Sequence, residues 1–182
     1  GLYKTLPNGE KMLCYGGDFN DHPNSGQFVF NGTILSDRTP EPGYFEVKHV
    51  YQNISTSLTD DGRISIFNKN FFTDLSPYDI TWTLTKNGNV VAEGRLDTPP
   101  AGPREKIVVP IPDIPQLKNR KPGVEYALRI SYKLKKDRGW AKKGYELAFD
   151  QLQLPVQGDL PVFKAPAGKV SLSTDKHTVS GK

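Results

Sequence analysis

The sequence predicts an all-β fold, an antiparallel β-sandwich of the immunoglobulin or fibronectin III kind over residues 53–155. Three observations carry that expectation. Apolar and polar residues alternate in short runs, the longest being Tyr126, Leu128, Ile130, Tyr132 and Leu134, which is the period of a half-buried strand. Asp60-Asp61-Gly62 and Lys86-Asn87-Gly88-Asn89 separate such runs as hairpin turns do. Fifteen prolines and seventeen glycines in 182 residues favour short strands and turns over helices.

In chain order, Ile54, Thr56 and Leu58 form a first strand, and Ile64 and Ile66 return from the Asp60-Asp61-Gly62 turn. Asn68 to Asp74 is a bend whose Phe71 and Phe72 are expected to cap the core. Ile80, Trp82 and Leu84 alternate with Thr81, Thr83 and Thr85, which puts β-branched residues on the solvent face. Val90 to Leu96 completes that hairpin. Ile107 and Val109 make a strand that Pro110, Pro112 and Pro115 confine to an edge or terminus, because proline cannot donate to a ladder. Tyr145, Leu147 and Phe149 supply the last strand, with Leu152 and Leu154 resuming after it. Seven or so strands over about a hundred residues suit a sandwich, and Trp82 holds a place similar to the core tryptophan of immunoglobulin folds. Cys14 is the single cysteine, so packing and not an intrachain disulfide must hold the core.

The flanks read differently. Residues 1–14 form a polar lead with a turn at Pro7-Asn8-Gly9. Gln27-Phe28-Val29-Phe30 is a short apolar strand candidate ended by Asn31-Gly32, and Pro40 and Pro42 stop any strand. From Gly43 to Gln52, Tyr44, Val47, Val50 and Tyr51 recur at helical spacing, with Glu46, Lys48 and His49 on other sides. A helix of about ten residues is marginal alone and needs a covering surface. After Leu154, prolines and glycines through Gly168 mark a linker, and residues 169–179 read as a strand with Val170 and Leu172 on its apolar face.

Composition is that of a globular protein: 36% apolar, 24% charged, a net charge of +4 and no apolar run approaching a membrane span. No block of like charge marks a nucleic-acid tail, and no membrane partner is expected. Gly1-Leu2-Tyr3 has no secretory leader pattern, so the compartment, cytoplasmic or periplasmic, stays open.

The stretch YGGDFNDHPNSGQFVFNG from Tyr15, followed by DRTPEP from Asp37, resembles the end of the catalytic barrel in the large bacterial β-galactosidases of glycoside hydrolase family 2. A weaker resemblance continues through Gly139-Trp140-Ala141 and Phe149-Asp150-Gln151 to about Leu154. It implies that residues 1–52 are the C-terminal segment of a (β/α)8 barrel, loops plus its last helix. Residues 53–155 are then the following immunoglobulin-like domain 4, and residues 156–182 a linker and the first strand of a further β domain. The intact enzyme would hydrolyse terminal β-D-galactosides with retention, in a soluble bacterial protein. It also implies that the Phe28 carbonyl and the Asn31 side-chain oxygen help bind a sodium ion beside the galactose in the intact enzyme, with Phe28 shifting on binding. Magnesium is a further ion of such enzymes, and no cofactor is expected for the fragment alone.

Retaining hydrolysis needs two carboxyl groups about 5 Å apart. None of Glu10, Glu41, Glu46, Glu93, Glu105, Glu125 and Glu146 stands in the family's catalytic motifs, so the expectation is that the chain begins after the chemistry and carries no catalytic residue. Asp18, Asp21 and His22 lie close enough to suggest a metal, but no second cluster completes a shell, and a solvated loop is the preferred reading. Lys133, Lys135, Lys136, Arg138, Lys142 and Lys143 surround Trp140, and a lysine-guarded sheet edge is preferred there over a polyanion site. The favoured function is a structural spacer between barrel and later β domains. The alternatives are a stand-alone carbohydrate-binding sandwich using Trp140 and Tyr145, and an adhesion module. Without its barrel, the face of Tyr44, Val47 and Tyr51 should dock on the sandwich, pair with another copy or fray.

Overall fold

The structure, a computed structural model, describes residues 2–28, 31–35, 37–118, 120–158, 162, 164, 172–174 and 179–181. Strands β1 (Leu2–Thr5) and β2 (Lys11–Cys14) form a small antiparallel hairpin, with Leu2 opposite Cys14. The polar lead expected at residues 1–14 is therefore ordered as a ladder, closed by the turn in which Gly9 takes φ +86° and donates to the Leu6 carbonyl. The strand expected at Gln27-Phe28-Val29-Phe30 does not begin where it should. Phe28 sits in a turn, its N–H donating to the Ser25 carbonyl at 3.2 Å, while Val29 and Phe30 lie outside the described residues.

Helix α1 (Pro42–Val50) follows, with proline in its first turn and Lys48 and His49 in its last, where cations complement the helix dipole. It docks on the rest of the chain with its polar side, not with the apolar face that its spacing singles out. Val47, Val50 and Tyr51 are exposed, Tyr51 at 78%, whereas Lys48 and His49 are half-buried and Gln52 is buried.

The sandwich comprises a three-stranded sheet, β3 (Ile54–Leu58), β4 (Ile64–Asn68) and β7 (Lys106–Val109), in the order β3-β4-β7. Facing it is a four-stranded sheet, β5 (Tyr78–Lys86), β6 (Asn89–Arg95), β8 (Tyr126–Leu134) and β9 (Glu146–Gln153), in the order β6-β5-β8-β9. Every pairing is antiparallel, as the alternation and the turns predict. One continuous core joins the sheets: Ile54, Ile64, Ile66 and Val109 from the first meet Ile80, Leu84, Leu128, Ile130, Tyr132, Ala148 and Leu152 from the second. A one-turn helix, α2 (Pro115–Lys118), interrupts the proline-rich connection from β7 to β8. Beyond residue 158, β10 (Leu172–Thr174) pairs with β11 (Val179–Gly181). Pro161, Pro166, Gly168 and Val170 of the expected linker and strand lie outside the described residues.

Three expectations need correction within the sandwich. Phe71 and Phe72 do not cap the core; they are 69% and 96% exposed. Trp82 is inward-facing but only partly buried, its ring lying against Gly94, so the fully buried aromatic is Tyr132. The last strand presents Ala148, Asp150 and Leu152 inward, not Tyr145, Leu147 and Phe149. The cause is a bulge: Tyr132 pairs with Ala148 but Lys133 with Glu146, leaving Leu147 unpaired and reversing the alternation at that point.

Candidate functional site

The loop from Tyr15 to Phe28 is built by short polar side chains that satisfy backbone donors. Asp18 accepts the Tyr15 N–H at 2.9 Å, Asp21 accepts the Gly17 N–H at 3.0 Å, and Asn24 accepts the Gly26 N–H at 3.0 Å while donating to the Asp21 carbonyl at 2.7 Å. Gly16 closes the loop base by donating to the Gly26 carbonyl at 2.9 Å. A Cβ there would stand 2.9 Å from the Gly26 nitrogen, and Gly17 has φ +96°, so the Gly-Gly pair is a steric requirement. The backbone N–H of Asp21 itself, then those of Gly17 and Phe19, hold the Asp21 carboxyl below its usual range. The two aspartates are thus committed to the loop. Among the described residues no group of three or more His, Cys, Asp or Glu side chains is placed to hold a metal ion, Asp18, Asp21 and His22 included.

Phe28, at the end of this loop, is 76% exposed, and Asn31 is exposed as well. One carbonyl and one amide oxygen supply two ligands of the six or so that a hard cation takes, so these residues alone do not make an ion site.

A second polar cluster lies where α1 meets the sandwich. Asp150, inward on β9 between Ala148 and Leu152, accepts the Thr56 N–H at 2.6 Å and the Gln52 Nε2–H at 3.1 Å. The Gln52 Oε1 accepts the Phe149 N–H at 3.0 Å, and Thr56 Oγ1 shares a 2.7 Å hydrogen bond with the Tyr132 hydroxyl. Burial pushes the Asp150 carboxyl up despite these donors and nearby His49, and burial likewise pushes the Tyr132 phenol up. Lys48 donates to the Glu146 carbonyl at 2.7 Å, and the His49 ring lies 4.9 Å from that of Phe149. On the outer face, Arg129 grips Glu146 through two 2.8 Å bonds and lies over Phe149, 4.1 Å from its centroid. Burial alone would raise the Glu146 carboxyl, but Arg129 and Ser131 outweigh it and hold it down. The seam ties the end of α1 and the following Gln52 to β9, and ties β9 to β3 and β8 through Thr56 and Tyr132. Sequence reasoning missed it, because the alternation of Tyr145, Leu147 and Phe149 gives Asp150 no inward place and the register that does is set by pairing with β8.

The basic hairpin between β8 and β9 is tied to itself and to the loop before β5. Lys142 pairs with Asp137 at 2.8 Å, Lys135 donates to the Ser76 carbonyl at 2.7 Å, and Trp140 stands edge-on to Tyr145 with centroids 5.6 Å apart. At the other end of the sandwich, Leu58, Ile111, Ile114, Leu117, Arg120 and Leu154 line an open concavity of about 760 Å³. No helix among the described residues is long and apolar enough to cross a membrane.

Residues 1–56 match the family described as "Glycosyl hydrolases family 2, TIM barrel domain", and residues 64–155 match "Beta-galactosidase, domain 4". A β-galactosidase of Priestia megaterium is 37% identical over 99% of this chain and 18% of its own length. That of Clostridium acetobutylicum is 35% identical over 87% of the chain and 17% of its length, and that of Psychromonas ingrahamii 32% over the whole chain and 18% of its length. The chain therefore spans less than a fifth of these relatives, and the match runs through both the loop segment and the sandwich.

Proposed function

Because the chain belongs to the β-galactosidases of glycosyl hydrolase family 2, we propose that it supplies a non-catalytic portion of such an enzyme. It contributes the closing segment of the barrel, and its sandwich spaces that barrel from later β domains. The intact enzyme hydrolyses terminal β-D-galactosides with retention. The observation that carries this reading is the junction: the barrel match ends at residue 56, the domain 4 match starts at 64, and the Gln52–Asp150–Thr56 seam clamps the last barrel helix to the sandwich at that point. A spacer needs such a rigid joint. Glu10, Glu105 and Glu146 spend their carboxylates on Asn8, the Gly102 N–H and Arg129, which further supports a chain without hydrolytic machinery.

In the intact enzyme, Phe28 and Asn31 lend two oxygens to a sodium shell completed from elsewhere in the polypeptide, next to the bound galactose. The barrel rim is the natural place for them, since ligands of such barrels gather on its loops. Magnesium is a further ion of the intact enzyme in this reading. The test is direct. The purified 182-residue chain leaves a chromogenic β-galactoside intact, whereas a full-length β-galactosidase carrying this segment in place of the matching one of the Priestia megaterium relative turns it over. Turnover by the chain alone, lost on substituting one of its own glutamates, overturns the reading.

A further inference from the structure

The sandwich exposes its large aromatic side chains unevenly. Phe71 and Phe72 sit on the β4–β5 loop, and Trp140 and Tyr145 on the β8–β9 hairpin, and all four are exposed. Both loops lie at the end of the sandwich where α1 enters. Lys69 donates to the Asn53 carbonyl, placing Phe71 just past the connector from the helix, and Lys135 donates to the Pro77 carbonyl, bringing the hairpin beside the end of the β4–β5 loop. At the opposite end the exposed apolar side chains include Val90 and Val156, not aromatics.

The Phe71-Phe72 loop is also rigid by construction. Fully buried Asn68 donates to the carbonyls of Thr73, Ala101 and Gly102, at 2.8, 3.1 and 2.9 Å, and accepts from Asn70. Arg104 donates to the Lys69 carbonyl at 3.1 Å and stacks its guanidinium 4.8 Å from the Phe71 ring. A loop backbone held this firmly presents two phenylalanines to solvent with little backbone freedom left to lose, the property of a preorganised interface anchor.

We propose that Phe71 and Phe72, with Val50 of α1 and Tyr51 just after it, form the surface on which the sandwich seats the body of the catalytic barrel. The inference rests on the function proposed above and names the contact that makes the spacer work. The occupant follows from continuity. α1 lies within the barrel match, so the rest of the barrel attaches where α1 does; Lys48 and His49 of that helix are half-buried, while Val50 and Tyr51 stay 62% and 78% exposed just before Asn53, whose carbonyl Lys69 of the phenylalanine loop binds.

The test uses the full-length enzyme carrying this segment, with Phe71→Ser and Phe72→Ser introduced together, and the same double variant in the 182-residue chain. In the chain the urea midpoint is unchanged, because both side chains lie outside the core. In the full-length enzyme the half-life of activity at elevated temperature falls about tenfold, as expected for removing a paired aromatic anchor. Equal half-lives overturn the docking role while leaving the spacer reading intact. An inactive enzyme with both phenylalanines present overturns the spacer reading and the docking with it. A dimeric 182-residue chain that becomes monomeric in the double variant assigns the surface to a second copy, and retention on a glycan matrix that the variant loses assigns it to sugar; either result overturns the proposal.

Discussion

The segment before α1 and the sandwich after it are held together by different physics, although one uninterrupted chain runs through both. Among the described residues before Gln52, Cys14 is the one buried apolar side chain, and the structure rests on turns, an isolated hairpin and asparagine or aspartate bonds to backbone N–H groups. The sandwich closes a core of seventeen buried residues drawn from both sheets and their connections. Hydrogen bonds of the first kind exchange protein for water and contribute little net, while burial of the second kind accumulates with area. The lesson is that the first region has a shape without the means to hold it alone. It is specified by its own sequence and stabilised by what it docks on.

The sharpest break of this contrast is a cavity in the core. Leu128→Ala removes a fully buried side chain and costs about 2–5 kcal/mol, lowering the urea midpoint of the whole sandwich. Gly16→Ala, by contrast, forces a Cβ against the Gly26 nitrogen and Asn24. The loop around it opens and its amides exchange faster, with the urea midpoint of the sandwich unmoved; a matching drop in that midpoint would show the two regions to be one cooperative unit.

Next in size is the Asn68 latch. Asn68→Ala removes a donor from three carbonyls, of which those of Ala101 and Gly102 keep the Leu75 and Glu105 N–H groups, at a cost of about 1–3 kcal/mol, and proteolysis should then cut between Lys69 and Phe72.

The smallest effects sharpen the seam through pH. Asp150, raised in the fold, contributes stability that is full below its unfolded value near 3.8 and is lost as pH rises through its higher folded pKa. Glu146, lowered in the fold, contributes above about 4.5 and loses that contribution as pH falls through its lower folded pKa. Urea melts at pH 3, 5 and 7 should therefore lose part of their acid-side decline in Glu146→Gln and part of their neutral-side decline in Asp150→Asn. Surface Asp137→Asn should leave all three midpoints within error, because the Lys142 pair it breaks is open to water.

Much of this was legible in advance. The β3–β4 and β5–β6 hairpins and the long β8 strand follow from alternation and turn residues that lie next to each other in sequence, so local physics is enough. α1 was legible as an element but not in its orientation, since the spacing of Tyr44, Val47 and Tyr51 says which face is apolar and nothing of what surface is at hand. For the candidate site, the structure supplies the steric reason for the glycine-rich stretch from Tyr15, which showed in the sequence as a motif. The seam did not, because Gln52, Thr56, Tyr132 and Asp150 are far apart along the chain.

By itself, then, the sequence determined the β3–β4 and β5–β6 hairpins with their turns, the alternation of β8, the absence of an intrachain disulfide and, through its motif, the family. Only the tertiary structure decided that a bulge at Leu147 turns Asp150 inward, that a helix with an apolar stripe docks by its lysine and histidine, and that two phenylalanines face water. Each of these is a contest between a residue's own preference and the surface another part of the chain presents to it, and that surface exists only once the two sheets have closed.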